Sequence, residues 1–176
     1  MVRQLLMPDW APGCALPQLL LDDLQDRAAH GIRALVIDVD RTLLPRRSSD
    51  LPQAAEQWLR QAGARMPIHL FSNNPSRQRI GRVSEILGFP YTVSAAKPRR
   101  GALRRVIQEL QVPADQVALL GDRVFTDVLA GNRLGLFTVL VKPIDSRGLP
   151  HPNDRLQMWE LGLAHRLAHP LWERWL

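Results

Sequence analysis

The sequence predicts an α/β fold in which a mainly parallel five-stranded sheet lies between two layers of helices. Short aliphatic runs alternate with longer amphipathic segments, a pattern typical of a parallel sheet covered on both faces. The connections between them are short, as such folds require. The length of 176 residues and the 45% hydrophobic and 23% charged fractions suit one globular domain. We therefore expect a single domain over residues 1–176, with a core at about 30–144 and a helical tail at about 153–176.

Five short apolar runs, each followed by polar residues or glycine, predict the strands. They are rich in aliphatic, β-branched or aromatic side chains, as buried strands are. The predicted strands are Ala34–Ile37, Ile68–Phe71, Tyr91–Ser94, Val117–Leu120 and Phe137–Val141.

Amphipathic segments between these runs predict the helices. Pro17 suits the first turn of its helix, where its missing N–H costs nothing. Gly63, Gly88 and Gly135 fall near predicted helix ends, where glycine accommodates the left-handed cap conformation. The predicted helices of the core are Pro17–Ala29, Pro52–Gln61, Ser76–Leu87, Gly101–Leu110 and Val124–Arg133.

The tail carries an apolar stripe at helical spacing, which Pro170 interrupts. It is also rich in tryptophan and arginine. Two alternatives stay open: the helix packs on the core, or it forms an interfacial surface on a membrane. The residues concerned are Leu156, Trp159, Leu163, Leu167, Trp172 and Trp175, with Arg155, Arg166 and Arg174.

Composition and the N-terminal segment indicate the cellular compartment of the protein. No apolar run approaches the roughly 18–20 residues of a transmembrane helix. The segment Met1–Met7 is too short and too interrupted for a secretory signal. The single cysteine, Cys14, cannot form an internal disulfide, which favours a reducing compartment and argues against a Cys/His zinc site. We expect a cytoplasmic protein, with peripheral contact at the inner face of the membrane as an extension of that expectation.

The net charge of +6 comes almost wholly from arginine, because Lys97 and Lys142 are the only lysines. Arginine suits bidentate contact with phosphate. The excess fits an anionic substrate, an anionic membrane surface or nucleic acid. Aromatic residues do not interleave with the arginines, and no helix-turn-helix or RNP pattern occurs. Nucleic acid is therefore the least favoured partner.

Two carboxylates follow the first predicted strand. Strand alternation sends Asp38 and Asp40 to the same side. Two close like charges are costly unless a cation or a proton separates them. Because open α/β sheets bind ligands at the carboxyl ends of their strands, the pair predicts a site, although a solvated turn is the alternative.

Polar residues follow the other predicted strands in the same way. Because the carboxyl ends of parallel strands share one edge of the sheet, these side chains should converge with the first pair. They are Ser72 and Asn73 after the second strand, Lys97 after the third, and Asp122 with Asp127 after the fourth.

Four carboxylates with a hydroxyl and an ammonium suit phosphoryl transfer. Carboxylate oxygens favour hard cations, above all Mg²⁺, which also engages substrate phosphate. A carboxylate can act as nucleophile and form an aspartyl-phosphate. Lysine and a hydroxyl can then hold the phosphoryl oxygens, whose negative charge must be offset.

The order and context of these residues resemble the haloacid-dehalogenase-like (HAD) phosphatase superfamily, whose fold is a Rossmann-like three-layer sandwich. Four motifs carry the resemblance, each after a predicted strand. They are Asp38-Val39-Asp40-Arg41-Thr42-Leu43, Phe71-Ser72-Asn73, Lys97-Pro98 and Gly121-Asp122-Arg123-Val124-Phe125-Thr126-Asp127.

Within that superfamily the chain is similar to the YqeG-type branch, which includes the mitochondrial-type phosphatidylglycerophosphate phosphatases. Arg41 is a departure, since this branch more usually has asparagine there; its guanidinium could reach substrate phosphate or point outward. The supporting segments are Leu6-Met7-Pro8-Asp9, Ser72-Asn73-Asn74, Gly131-Asn132-Arg133 and Leu140-Val141-Lys142-Pro143-Ile144.

The resemblance implies catalytic roles for two residues. Asp38 would attack phosphorus, and Asp40 would act as general acid and then as general base. Mg²⁺ would be held by Asp38, the main-chain carbonyl of Asp40 and Asp122, with Asp127 in support. The alternative for Asp127 is a carboxylate at a helix N-terminus.

The resemblance also implies the residues that bind the transferring phosphate. These are Thr42, Ser72, Asn73 and Lys97, with Lys97 also counted as catalytic. A loop-stabilising hydroxyl is the alternative for Thr42, and a plain loop cation is the alternative for Lys97.

The implied substrate is a phosphomonoester, with phosphatidylglycerophosphate, a membrane phospholipid, as the first choice. About thirty residues separate Asp40 from Ser72, and one helix uses most of them, so no lid domain fits. An open site suits a bulky ester. The alternatives are a nucleotide, a nucleic-acid end or a phosphoprotein as substrate, and a non-catalytic binding protein on the same fold.

Overall fold

A computed structural model describes residues 4–46, 48–151 and 153–172. Five parallel strands form one sheet in the order β3-β2-β1-β4-β5, with β1 at its centre. This confirms the predicted fold class. The strands are β1 Ala34–Ile37, β2 Ile68–Phe71, β3 Tyr91–Thr92, β4 Val117–Gly121 and β5 Phe137–Leu140.

Six α-helices accompany the sheet in the described part of the chain. A single π-helical segment, Val124–Val128, leads directly into the fifth of them. The helices are α1 Leu21–Arg27, α2 Gln53–Gly63, α3 Arg77–Leu87, α4 Arg100–Leu110, α5 Leu129–Asn132 and α6 Arg155–Trp172.

Alternate residues of β1 face opposite layers of the core. Leu35 and Ile37 lie in one hydrophobic cluster with side chains of α1, α2 and α3. Ala34 and Val36 lie in a second cluster with side chains of α4 and α5. All four are fully buried, as in the central strand of a sheet covered on both faces. The three-layer sandwich is therefore present.

The first predicted helix is wrong at its start. Pro17 lies in a 3-10 turn, Leu16–Gln18, and α1 begins only at Leu21. Leu19 between them is extended and buried, and its carbonyl accepts a 2.7 Å hydrogen bond from the indole of Trp58. Packing against α2 thus overrides the local helical pattern.

Two of the three glycine predictions are confirmed and one is wrong. Gly88 and Gly135 have φ angles of 74° and 75°, in the left-handed region where glycine is favoured. The prediction for Gly63 is wrong, since it is the last residue of α2 and its φ is not positive. A Cβ at Gly63 would lie 2.7 Å from the Phe89 ring, so close packing explains this glycine.

The segments between β1, β2 and β3 contain only α2 and α3 in the described residues, so no large cap domain is found there. The tail forms α6, with a kink at Ala168. Its buried Ala164 packs with Val124 and Val128 of the π-helical segment. Arg174, Trp175 and the side chain of Trp172 lie outside the described residues. None of the described helices combines the length and apolar character needed to cross a bilayer.

Candidate active site

The carboxyl ends of β1, β2 and β4 bring together side chains that are distant in the sequence. Asp38 follows β1 directly, and its backbone N–H donates to the Leu120 carbonyl of β4 at 2.9 Å. Ser72 and Asp122 follow β2 and β4 in the same way, and Lys97 comes from the loop after β3. The sheet edge thus gathers every side chain that the sequence singled out: Asp38, Asp40, Thr42, Ser72, Asn73, Lys97, Asp122 and Asp127.

Lys97 is the centre of the buried part of this site. Its ammonium donates to Asp38 Oδ1 and Asp127 Oδ1, both at 2.5 Å, and to the Phe71 carbonyl at 3.2 Å. Only 2% of its side chain is exposed. A lysine so buried must keep its charge paired, and two carboxylates meet that need.

Asn73 holds the Lys97 backbone in place. Its Oδ1 accepts from the Lys97 N–H at 2.7 Å, and its Nδ2 donates to the Lys97 carbonyl at 3.1 Å. The two bonds tie the loop after β3 to the end of β2. The predicted contact between Asn73 and phosphate stays a prediction.

Three buried carboxylates lie close together at Asp38, Asp122 and Asp127. One oxygen from each lies within 4.8 Å of the others. The approach of Asp127 depends on Gly121, because a Cβ there would come within 2.3 Å of the Asp127 carboxyl carbon. Asp127 Oδ2 also accepts from the Arg123 N–H at 3.1 Å. Glycine at the end of β4 is thus what lets the carboxylates cluster.

Burial and mutual repulsion govern the ionisation of this cluster. Burial raises the pKa of Asp38 to about 7, although Lys97 acts in the opposite direction. Burial, and then the charges of Asp38 and Asp127, raise the pKa of Asp122 well above its ordinary range. Burial opposes the charge on Lys97, but Asp127 and Asp38 outweigh it and raise the pKa of the ammonium. One ammonium therefore does not balance three carboxylates.

The cluster fits a hard divalent cation. All three side chains offer carboxylate oxygens, the ligands that Mg²⁺ prefers. Asp122 Oδ2 is buried and accepts no hydrogen bond in the described part of the chain, although the Arg41 guanidinium lies 3.3 Å from it. A buried carboxylate oxygen that accepts no hydrogen bond from the protein is available to bind an ion.

Asp40 has a different set of neighbours. Its carboxylate accepts from Ser72 Oγ at 2.7 Å, from Asn74 Nδ2 at 3.1 Å and from Arg79 Nε at 3.1 Å. Arg79 also donates to the carbonyls of Pro45 and Ser48. Arg79 of α3 therefore joins Asp40 to the loop that follows Asp40. Sequence reasoning did not assign Arg79 to the site, since it lies inside an ordinary amphipathic helix.

A tight loop brings Thr42 back to Asp38. Arg41 adopts a left-handed φ of 68°, and the N–H groups of Leu43 and Leu44 both donate to the Val39 carbonyl. Thr42 Oγ1 then donates to Asp38 Oδ2 at 3.1 Å. The hydroxyl thus orients the carboxylate oxygen that Lys97 does not hold.

Arg41 points into the site. Its Nε lies 3.3 Å from Asp122 Oδ2, and its Nη2 lies 2.6 Å from Asp154 Oδ2. Of the two orientations open from the sequence, the outward one is therefore wrong. The adjacent carboxylate of Asp154 comes from the residue before α6, so the tail participates in the site.

α6 supports the loop that carries Asp122. Gln157 Nε2 donates to the carbonyls of Asp122 and Val141, each at 2.8 Å. Buried Glu160 accepts from the Val124 N–H at 2.8 Å and from the Arg123 guanidinium. The sequence contained no signal for these contacts, because they depend on how the tail folds back.

The site opens into a cavity of about 600 Å³. Its floor holds the carboxylates and Lys97, and its rim includes Arg46, His151, Arg155 and Leu156. A negative floor beneath a basic rim suits an anionic ligand whose charge a cation on the floor would help to offset.

Known proteins with similar sequences and folds are consistent with this site. A family model described as HAD-hydrolase-like matches residues 94–143. The chain is 30% identical over 147 residues to the probable phosphatase YqeG of Bacillus subtilis, covering 82% of this chain and 85% of the relative. It is also 30% identical over 148 residues to the chloroplastic phosphatidylglycerophosphate phosphatase 1 of Chlamydomonas reinhardtii, covering 79% of this chain but 55% of that protein.

The fold also matches a solved structure. A hypothetical protein from Xanthomonas campestris superposes with a TM-score of 0.56 at 23% identity, covering 89% of this chain and 93% of that one. At this level of identity the match concerns the fold alone.

Proposed function

Since the chain belongs to the HAD-type phosphatases, in the branch of the YqeG phosphatase, we propose that it hydrolyses the terminal phosphate of phosphatidylglycerophosphate. Membership makes the chain a phosphoric monoester hydrolase. The lipid substrate is the proposed part, and it is supported by the algal relative named for that reaction. The chain spans about half the length of that relative.

One observation supports the proposal: the Asp38 carboxylate hydrogen-bonds to an ammonium and a hydroxyl, and two further carboxylates lie close to it. Lys97 and Thr42 bind separate oxygens of its carboxylate. Asp122 and Asp127 lie within reach of one ion shared with it. This combination suits a carboxylate that attacks phosphorus, because the nucleophile is oriented and the charge of the phosphoryl group can be offset.

In the proposed first step, an Asp38 carboxylate oxygen bonds to phosphorus while the bond from phosphorus to the leaving oxygen breaks. Asp40 gives its proton to the leaving oxygen, so an alcohol departs and an aspartyl-phosphate remains. Ser72, Asn74 and Arg79 support this role because they fix the position of the Asp40 carboxylate.

In the second step, a water molecule gives a proton to Asp40 and its oxygen bonds to phosphorus. The bond between phosphorus and Asp38 breaks, which releases phosphate and restores both carboxyl groups to their starting forms. In both steps, the Lys97 ammonium would stabilise the negative charge that develops on the phosphoryl oxygens. Thr42, Ser72 and Asn73 are proposed to complete the phosphate contacts.

Mg²⁺ is the proposed cofactor. Asp38, Asp122 and the main-chain carbonyl of Asp40 would hold it, with Asp127 in support. When bound, it would offset negative charge on the phosphoryl oxygens. The repulsion among the buried carboxylates supports a divalent ion in particular, because a monovalent one would balance less of their charge.

The open form of the site supports a bulky ester. Only single helices separate the strands that carry the site in the described residues, and the cavity mouth has a basic rim. A lipid substrate would place the protein at the inner face of a membrane, as a peripheral protein of the cytoplasm.

A second candidate substrate is a nucleotide, a nucleic-acid end or a phosphoprotein. Exposed Arg46 and Arg155 on the rim favour it, since they suit any anionic neighbour of the scissile phosphate. A non-catalytic protein on this fold is the least supported alternative, because the site has the full set of reactive groups.

Phosphate release from phosphatidylglycerophosphate in mixed micelles tests the proposal. We expect activity with Mg²⁺, none in EDTA, and a loss of at least about 10³-fold in Asp38→Asn. Asp26→Asn, the same change on an exposed residue of α1, is the matched control. Parent-level activity in Asp38→Asn would defeat the assigned nucleophile, and full activity in EDTA would defeat the metal. A higher kcat/KM for nucleotides, phosphorylated DNA ends or a phosphopeptide would reassign the substrate.

A further inference from the structure

The outward face of α6 is apolar where a surface helix is usually charged. Its exposed side chains include Trp159, Met158, Leu167 and Leu156, which are 62%, 61%, 48% and 38% exposed. Single exposed hydrophobic residues are common. At about 100° per residue, Leu156, Trp159 and Leu167 lie on one side of the helix, whereas Met158 lies about 180° from Leu167. The first three therefore form a patch, and such patches commonly have a binding role.

The charged residues of this face are all positive. Over residues 155–168, the exposed charged side chains are Arg155 and Arg166. Glu160, the one acidic residue of that range, turns inward and is 1% exposed. Aromatic and aliphatic side chains mixed with arginine, and free of acidic ones, are typical of helices that lie in the interface of an anionic bilayer.

The apolar face adjoins the mouth of the active site. Arg155 and Leu156 line the same cavity as Asp38 and Asp122. The Trp159 ring packs beside Phe125, with ring centroids 6.4 Å apart. Phe125 itself lies in the motif between Asp122 and Asp127. A surface seated on this face would therefore touch the rim of the cavity.

The inner face of α6 holds the helix to the catalytic loop. Gln157 and Glu160 hydrogen-bond to the Asp122 carbonyl and the Val124 N–H. Ala164 packs against the π-helical segment. The outward face is thus presented in a fixed orientation relative to the site, as a docking surface requires.

We propose that the outward face of α6 docks on an anionic lipid bilayer, with Trp159 and Leu167 entering the interface. This inference rests on the proposed lipid substrate and names the surface that would meet it. Arginine at the patch complements the negative charge of the bilayer, and the net charge of +6 adds attraction at longer range. Docking sets the cavity mouth at the level of the lipid headgroups.

Vesicle flotation of the 176-residue chain tests the surface. We expect the parent to float with vesicles of phosphatidylcholine and phosphatidylglycerol, but not with phosphatidylcholine alone. Trp159→Ser/Leu167→Ser should bind the anionic vesicles about tenfold less, and Arg166→Gln should also weaken that binding. Leu20→Ser, at a leucine that is 65% exposed and directly precedes α1, is the matched control and should float like the parent.

Hydrolysis of p-nitrophenyl phosphate, a water-soluble ester, separates this inference from the proposed function. The double variant should hydrolyse it at the parent rate, which shows that the fold and site are intact. A parent that hydrolyses it but does not float overturns the docking surface alone. Equal flotation of parent and double variant also overturns it. So does light scattering that shows a parent dimer which the double variant dissociates, because the face is then an interface between copies.

Discussion

Asp38 and Asp40 lie two residues apart on one loop, yet their surroundings differ in kind. Asp38 is buried among charged groups: Lys97 on one oxygen, and the carboxylates of Asp122 and Asp127 nearby. The Asp40 side chain is 30% exposed, and hydroxyl, amide and guanidinium donors surround it. In the Asp38 half of the site (Asp38, Lys97, Asp122 and Asp127), three carboxylates face one ammonium and the Arg41 guanidinium, which Asp154 shares, so negative charge is in excess. In the Asp40 half (Asp40, Ser72, Asn74 and Arg79), donors from the protein satisfy the carboxylate.

The difference indicates how two identical side chains take separate roles. A group that must exchange protons benefits from fixed geometry and access to water. A nucleophile that shares a cation with other carboxylates benefits from burial, because a low dielectric strengthens each charge interaction. Substitutions in the Asp38 half should therefore change both activity and stability, whereas those in the Asp40 half should change mainly turnover.

Among the substitutions that test this comparison, Lys97→Met should give the largest effect. It removes the only ammonium from a group of buried carboxylates, so we expect kcat to fall by about 10²- to 10³-fold and stability to fall by about 3 kcal/mol. Phosphate release and urea unfolding measure the two effects. Lys142→Met, at the only other lysine of the chain, is the control. A Lys97→Met protein with parent stability would show that the carboxylates do not need this partner.

Gly121→Ala should come next. A Cβ at this position would lie 2.3 Å from the Asp127 carboxyl carbon, so Asp127 must move or β4 must shift. We expect a loss of about 1–3 kcal/mol and weaker Mg²⁺ binding by calorimetry. Gly101→Ala in α4, where a Cβ would meet nothing within 4 Å, should cost no stability. Equal effects at both glycines would contradict the close approach of Asp127.

The stability of the metal-free protein should fall as the pH rises from about 4 to 7. The pKa of Asp38 is about 7 in the fold against an ordinary value of 3.8, so over this range the folded state holds a proton that the unfolded chain has lost. The contribution is fully present below the ordinary pKa and is lost above the raised one. Thermal unfolding in EDTA should show a decrease of a few degrees.

Removing one of the repelling carboxylates should shrink that pH effect. Asp122→Asn is expected to flatten the decline in EDTA, because burial, and then the charges of Asp38 and Asp127, raise the pKa of Asp122 well above its ordinary range, so that Asp122 contributes to the decline. Asp50→Asn, on an exposed residue, should leave the decline as it is in the parent. A parent whose melting temperature rises between pH 4 and 7 in EDTA would contradict the charge balance described for this half.

The sequence predicted the fold well because buried parallel strands and amphipathic helices have distinct local patterns. It predicted that Asp38, Lys97 and Asp122 come together, because strand ends share one edge of the sheet. It did not predict contacts made by helix residues, such as Arg79 in α3 and Glu160 in α6, since their partners come from remote loops. Packing also overrode the local helical pattern at Leu19, whose backbone carbonyl accepts a hydrogen bond from the Trp58 indole instead of a bond within a helix.

Arg79→Met tests the Asp40 half and should have the smallest effect. The guanidinium links Asp40 to the Pro45 and Ser48 carbonyls, so its loss leaves the carboxylate in place but less constrained. Ser72 and Asn74 still bind Asp40, and we expect kcat to fall about tenfold with little change in KM. Arg82→Met is the control, since Arg82 lies one turn further along α3 and is exposed. A rise in KM with kcat unchanged would mean that Arg79 binds substrate. The two halves of the site would then differ less than their contacts indicate.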